Sequence, residues 1–142
     1  MDLKVISRPA FSVAAVKRSF NETTLSVGVR EFFKEYKGSE LAKAFYPRLG
    51  VCMSPEVEGD WVYAIGDEYH AGMLCPSPFE IINLPAQDWA VFSGAPASDM
   101  RSFIYGEWFI SGGYEILTGS DIEYYDREGE ISEIHIPVKK RS

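Results

Sequence analysis

Ile122-Glu-Tyr-Tyr125 and Ile131-Ser-Glu-Ile-His-Ile-Pro-Val138, joined by Asp126-Arg-Glu-Gly-Glu130, decide how the rest of this chain is read. Both arms alternate, and a strand sends alternate side chains to opposite faces. In the second arm Ile134, Ile136 and Val138 share one face, and Glu133 and His135 share the other. In the first arm Ile122 and Tyr124 oppose Glu123 and Tyr125. The charged, glycine-containing segment between the arms suits a hairpin loop. The expectation is a hairpin that gathers Glu123, Tyr125, Glu133 and His135 on one face and leaves a greasy face to pack.

Working outward, Phe79–Leu84 and Gln87–Phe92 read as strands, with a bend at Pro85-Ala86 and a stop at Ser93-Gly94-Ala95-Pro96. Ser98 or Asp99 can cap a helix running to about Ile110, which Ser111-Gly112-Gly113 ends. The first half has the same order. A strand covers Val13–Val16, with a shorter one at Lys4–Ile6 and a bend at Pro9 between them. A helix follows from about Thr24 to Phe45, with Gly38-Ser39 as a break point; its apolar Val29, Phe32, Phe33, Tyr36, Leu41 and Phe45 recur at helical spacing. Tyr46–Gly50 is a turn and Val51–Ser54 a strand. Pro55–Asp60 is an acidic loop, and Trp61–Ile65 a strand ended by Gly66.

Each half therefore reads strand, helix, strand, strand. The fold class this predicts is α+β: tandem β-α-β-β repeats, about 1–70 and 79–140, forming one antiparallel sheet within a single domain over 1–142. Two helix groups would cover one face and leave a ligand groove on the other, along the junction of the repeats.

Composition narrows the functions. Of 142 residues, 46% are hydrophobic, enough for a core and too many for disorder. The formal charge of −7 argues against a nucleic-acid surface, which needs clustered Lys and Arg. Residues 71–142 hold 5 Lys/Arg against 11 Asp/Glu, an excess that either attracts a cation or aids solubility. No apolar run is long enough for a membrane span and Met1-Asp2-Leu3-Lys4 is no signal peptide, so a cytoplasmic protein is expected. Cys52 and Cys75 lack Cys-x-x-Cys spacing, and His70 and His135 are the only histidines; no metal site is expected. With no glycine-rich phosphate loop and no Ser-His-Asp arrangement, no cofactor is implied.

The second half resembles a GyrI-like small-molecule-binding domain, the effector-binding domain of AraC- and MerR-type regulators, an SHS2-type duplication. The resemblance is carried by Trp89-Ala-Val-Phe92-Ser-Gly, Tyr105-Gly-Glu-Trp108, Ser111-Gly-Gly-Tyr114-Glu, Asp121-Ile-Glu123-Tyr-Tyr125 and Glu133-Ile-His135-Ile-Pro137-Val138. The first half matches in its order of elements. The resemblance implies a central groove for a lipophilic, often cationic, compound, held by aromatics and a buried glutamate. Glu123 matches that carboxylate in the penultimate strand, and Glu133 the one that opens the last strand. His135 stands where the family often has an aromatic. The two repeats use the whole chain, which implies a stand-alone form without a DNA-binding module.

The candidate ligand-binding residues are Glu123, Tyr125, Glu133, His135, Trp89, Tyr105, Trp108 and Glu107, with Tyr114 as a further aromatic. Each has a plainer reading. The glutamates suit a solvated strand end or helix face, and His135 suits a satisfied structural histidine. The aromatics suit a core, as Trp61 and Tyr63 do on the helix-covered face. A carboxylate desolvated in an aromatic cleft can neutralise a cation or act as general acid or base. Binding of a small lipophilic cation is therefore the leading function. The alternatives are hydrolysis of a strained, alkylating compound of the cyclopropanoid type, with Glu123, Glu133 or Tyr125 catalytic, and a regulatory protein contacting gyrase or a transcription factor.

Overall fold

Alternation governs both halves. The computed structural model describes residues 1–53, 60–117 and 119–142. Among these residues nine strands form one antiparallel sheet: β1 Asp2–Arg8, β2 Phe11–Phe20, β3 Leu49–Met53, β4 Trp61–Tyr69, β5 Glu80–Leu84, β6 Gln87–Ser93, β7 Tyr114–Ile116, β8 Ser120–Tyr125 and β9 Ile131–Lys140. The spatial order is β1-β6-β9-β8-β3-β4-β2-β5, with β7 added on β9. In the repeat unit β2-β3-β4 the last strand pairs with both others, as it does in β6-β8-β9, and the two units meet where β8 pairs with β3. The strand leading each half crosses to the other: β1 pairs with β6, and β5 with β2.

Helix α1 (Leu25–Lys37) buries Phe32 and Tyr36 on the first half, and the Tyr36 hydroxyl donates to the Phe45 carbonyl at 2.5 Å. Ser39 Oγ accepts the Leu41 N–H at 3.2 Å and starts α2 (Leu41–Ala44), so the helix does break at Gly38-Ser39. Helix α3 (Ala97–Phe103) runs on through a π-helical turn at Ile104–Trp108 to a last turn at Phe109–Ser111. The Phe109 N–H reaches the Ile104 carbonyl, five residues back. Met100, Ile104 and Trp108 pack on Phe92, Ile134, Ile136 and Val138.

Several strand boundaries differ from the sequence expectation: β1, expected at Lys4–Ile6, spans Asp2–Arg8, and β9 runs past Val138 to Lys140. Strand β2 runs to Phe20, well past Val16, because its partner β4 pairs with it all the way to Trp61. Gly66 does not end β4, which continues to Tyr69. A Cβ at Gly66 would stand 1.9 Å from the Ala14 carbonyl oxygen; glycine here admits close approach of two strands. Gly50 lies inside β3, where a turn was expected, for a related reason given below. The expected strand end at Ser54 and the loop at 55–59 lie outside the described residues.

The fold class is the expected one, but the groove lies elsewhere. The face opposite the helices is occupied by Val13, Ala15, Leu49, Val51, Ala64, Trp89 and Ile122. Phe11 of β2 meets Trp89 of β6 at a ring-centroid distance of 6.1 Å, although four strands separate them in the sheet. The sheet thus curls until its own side chains fill that concave face. Open space remains between the helices, on the face they cover. Among the described residues no helix is long and apolar enough to cross a membrane.

Candidate functional site

Strand β8 supplies the floor of that space. Its Ile122 and Tyr124 turn to the curled core, so Asp121, Glu123 and Tyr125 turn to the helices. Glu123 is 8% exposed. Its Oε1 accepts a hydrogen bond from the Tyr63 hydroxyl at 2.8 Å. Tyr63 also hydrogen-bonds the Tyr125 hydroxyl, and Arg101 of α3 forms a hydrogen-bonded ion pair with Glu123 Oε2. Both carboxylate oxygens are therefore engaged.

Gly50 makes this geometry possible. It lies between Glu123 on β8 and Ile65 on β4, and Tyr63 crosses over it to reach the carboxylate. A Cβ there would sit 2.0 Å from the Tyr63 hydroxyl and 2.4 Å from Cζ. Gly50→Ala is expected to push the ring off Glu123 at an overpacking cost of about 1–3 kcal/mol. A thermal melt should fall by several degrees, and the Tyr63 hydroxyl should lose its protection in proton exchange. An unchanged melt with the hydroxyl still protected would show that the ring never needed the gap.

Two cavities flank the ion pair. One, of about 390 Å³, is bordered by Trp61, Tyr105, Phe109, Cys52 and Asp121. The other, of about 770 Å³, is bordered by Val29, Phe33, Lys34, Tyr125 and Glu130. Arg101 and Glu123 border both. The rings of Tyr125 and Phe33 lie 4.4 Å apart and form one wall of the larger cavity.

Burial, helped by the Glu123 charge, pushes the Tyr63 and Tyr125 hydroxyls well above the ordinary tyrosine range, so both remain neutral donors. Burial also lifts Asp121 from 3.8 to about 6, with the neighbouring Glu123 charge adding to it and a 3.3 Å hydrogen bond from Tyr105 opposing it. Burial raises the Cys52 thiol to about 12, so it is an inert wall. Burial works against the Arg101 charge, but the charge and hydrogen bond of Glu123 outweigh it and raise its pKa. The chemistry this arrangement offers is that of one fixed anion, a second carboxylate titrating near pH 6 and aromatic walls.

The sequence candidates separate. Glu123 and Tyr125 stand together, and Tyr105, about half exposed, borders the smaller cavity. Glu133 and His135 lie on the opposite face, against the expectation that the hairpin would gather all four. Straight pairing from Tyr125↔Ile131 would set Glu123 against Glu133; a bulge between Tyr124 and Tyr125 shifts the register by one. Glu123 then faces Ile134, and Glu133 faces Tyr124. A one-residue slip exchanges the two faces of a strand, and this one also spares two like charges a direct confrontation. His135 Nε2 lies 2.7 Å from Glu133 Oε1, and its ring lies 4.6 Å from that of Tyr124. Burial lowers the His135 pKa.

Trp89 is 1% exposed within the curled core and borders neither cavity. Trp108, 6% exposed, packs edge-on against Phe92 and stacks on Tyr114. Glu107 is exposed and borders neither cavity. Sequence reasoning missed Arg101 and Asp121 and read Tyr63 only as core. The available signals were the need of a buried tyrosine hydroxyl for a partner and of a buried carboxylate for a counter-charge. Arg101 is the one cation between Lys43–Arg48 and the terminal hairpin loop.

Residues 4–138 match the Cass2 family, described as integron-associated effector binding protein. The transcriptional regulator BrlR of Pseudomonas aeruginosa is 28% identical over 135 residues; the match covers 89% of this chain and 49% of BrlR, so the chain spans about half the length of that relative. Among solved structures, SAV2435 bound to tetraphenylphosphonium matches with a TM-score of 0.77 at 16% identity, covering 98% of this chain and 94% of that one. The Vibrio cholerae integron cassette protein VCH_CASS2 matches at 0.66 and 12% identity, covering 96% and 95%. The C-terminal domain of EcmrR matches at 0.58 and 16%, covering 99% and 98%. At such identities these structures speak for the fold.

Proposed function

Because the chain belongs to the integron-associated effector-binding family, a GyrI-like family related to transcription regulators, we propose that it captures a lipophilic organic cation between its two helix groups. Glu123 supplies the counter-charge, and Tyr125, Phe33, Tyr105 and Trp61 supply ring surfaces. The observation that carries this reading is a carboxylate 8% exposed on a floor shared by two aromatic-walled cavities. A cation is attracted both to a desolvated carboxylate and to the faces of aromatic rings. SAV2435, which shares the fold, has been solved with such a cation, tetraphenylphosphonium. Trp61 borders the smaller cavity, so its emission reports entry. Titration with tetraphenylphosphonium should quench tryptophan fluorescence to saturation, whereas neutral triphenylphosphine oxide should not. Equal affinity for the two compounds would remove the role of charge.

The pH dependence is set by Asp121, near pH 6. A cation in the smaller cavity favours the Asp121 anion and so lowers its pKa. Affinity should rise from pH 5 to pH 7 and level off above, by about tenfold for each unit of pKa the cation removes. Asp121→Asn should flatten the profile; a profile unchanged in that variant would assign the titration elsewhere. Stability runs the other way. The raised carboxyl contributes stability fully present below its ordinary 3.8 and lost as pH rises through about 6.

Hydrolysis as an alternative loses Glu133 as a candidate beside Tyr125, since Glu133 faces away from Glu123. It would rest on Glu123, Asp121 and Tyr125, and multiple-turnover consumption of an alkylating substrate would be its support. A regulatory use is compatible with capture: the relative BrlR is named a transcriptional regulator, and ligand occupancy would be the signal passed to a protein partner.

A further inference from the structure

The geometry points to Arg101 as an internal competitor for the ligand: its guanidinium holds the place on Glu123 that the incoming cation takes, and it leaves when the cation enters. This rests on the capture of a cation proposed above. Four observations carry it. Among the described residues, Arg101 and Glu123 are the two that border both cavities, so the contact between them partitions the groove. The pair is unequal in exposure: the Arg101 side chain is 45% exposed and that of Glu123 is 10%. The arginine can swing into water and be hydrated, while the glutamate cannot follow. The larger cavity, toward which Arg101 retreats, is bordered by Glu128 and Glu130 and also by Arg30, Lys34 and Lys37, so Arg101 is received by water and two carboxylates among other cations. Finally, Tyr63 donates to Oε1 and Arg101 to Oε2, so the carboxylate stays anchored at one oxygen while the other exchanges partners.

The consequence is selectivity for charge. A buried carboxylate stripped of its partner is strongly disfavoured. A neutral molecule that displaced Arg101 would leave Glu123 bare, whereas a cation replaces what it removes. The empty protein needs no bound ion to remain stable, and release of Arg101 joins the two cavities into one groove sized for a bulky cation.

The test compares the wild-type protein, Arg101→Ala and Arg101→Lys by tryptophan-fluorescence titration with tetraphenylphosphonium. If the ion pair is closed in about 90% of molecules, removing it strengthens apparent binding about tenfold. Arg101→Lys, which grips the carboxylate as a point charge without the guanidinium fork, should fall between the two. Guanidinium ion at low millimolar concentration should compete with the phosphonium in Arg101→Ala and not in the wild type. Should Arg101→Ala fold poorly, the wild-type protein still gives the answer. Its Arg101 Nη2 protons, which the ion pair with Glu123 holds, should pass on saturation from protected to rapidly exchanging, as followed by NMR. A folded Arg101→Ala that binds the phosphonium no more tightly than wild type, or Arg101 Nη2 protons that stay protected at saturation, would overturn the exchange and leave cation capture standing. No binding to any of the three proteins overturns both.

Discussion

Glu123→Gln is expected to weaken tetraphenylphosphonium binding by about 30-fold or more, with little change in the melting temperature. The affinity term follows from burial. A cation drawn into the groove gives up its hydration, and the carboxylate at 8% exposure is what replaces it. Truncating one partner of a desolvated charge pair costs roughly 2–5 kcal/mol, and the lower bound is already about 30-fold. The stability term is small because glutamine keeps the shape and still accepts from the Tyr63 hydroxyl. Arg101, left without its partner, has a side chain 45% exposed that water can reach. The controls are triphenylphosphine oxide, whose weak binding should not change, and a thermal melt. If Glu123→Gln binds the phosphonium as tightly as wild type, Glu123 is a structural residue and the walls alone hold the ligand.

The largest expected effect on stability belongs to Gly66→Ala. Gly66 is opposite Ala15 on one side and Leu49 on the other, in the centre of the sheet. Its added Cβ would meet the Ala14 carbonyl oxygen at 1.9 Å, the Ala15 Cα at 2.8 Å and the Ala14 carbonyl carbon at 2.9 Å. All three are backbone atoms, so no side chain can rotate aside, and β2 must separate from β4. Overpacking of this kind lies at the upper end of the usual range, about 3 kcal/mol or more. For a domain of this size that lowers the melting temperature by roughly 10 °C. Gly106→Ala is the matched control: nothing lies within 4 Å of its Cβ, and alanine favours helix by about 1 kcal/mol. A Gly66→Ala protein melting with the wild type would mean that the two strands are not held so closely in solution.

Much of the frame was legible because it is written in local chemistry. Period-two alternation marked Ile131–Val138 and Ile122–Tyr125 as strands, and a 3.6-residue period marked the first helix. Gly38-Ser39 broke the first helix and Gly112-Gly113 closed the second, as each does by losing helical preference or offering a cap. The duplicated order of elements, and with it an antiparallel sheet carrying helices, followed from these signals. Glu123 and Tyr125 could be placed on one face of their own strand, since that needs only the pleat.

What alternation cannot carry is the relation between strands. The register of β8 against β9 depends on the loop, where Asp126 Oδ1 accepts the Glu128 and Glu130 N–H groups at 3.0 and 2.9 Å, and on the bulge beside it. One extra residue there sends Glu133 and His135 to the far face while leaving each strand's own alternation intact. The curl of the sheet is equally non-local. Twist accumulated over the strands between β2 and β6 brings Phe11 to Trp89, fills the concave face and leaves the groove under the helices.

The amino-acid sequence by itself determined the repeat, the strands and a carboxylate, Glu123, aimed away from the apolar side of its own strand, because these depend on neighbours one to four residues apart. Only the tertiary structure decided that Tyr63 and Arg101, 60 and 22 residues away in the chain, hold its two oxygens. A buried charge requires partners, but which side chains answer is set by register, by the gap at Gly50 and by where α3 lies on the sheet.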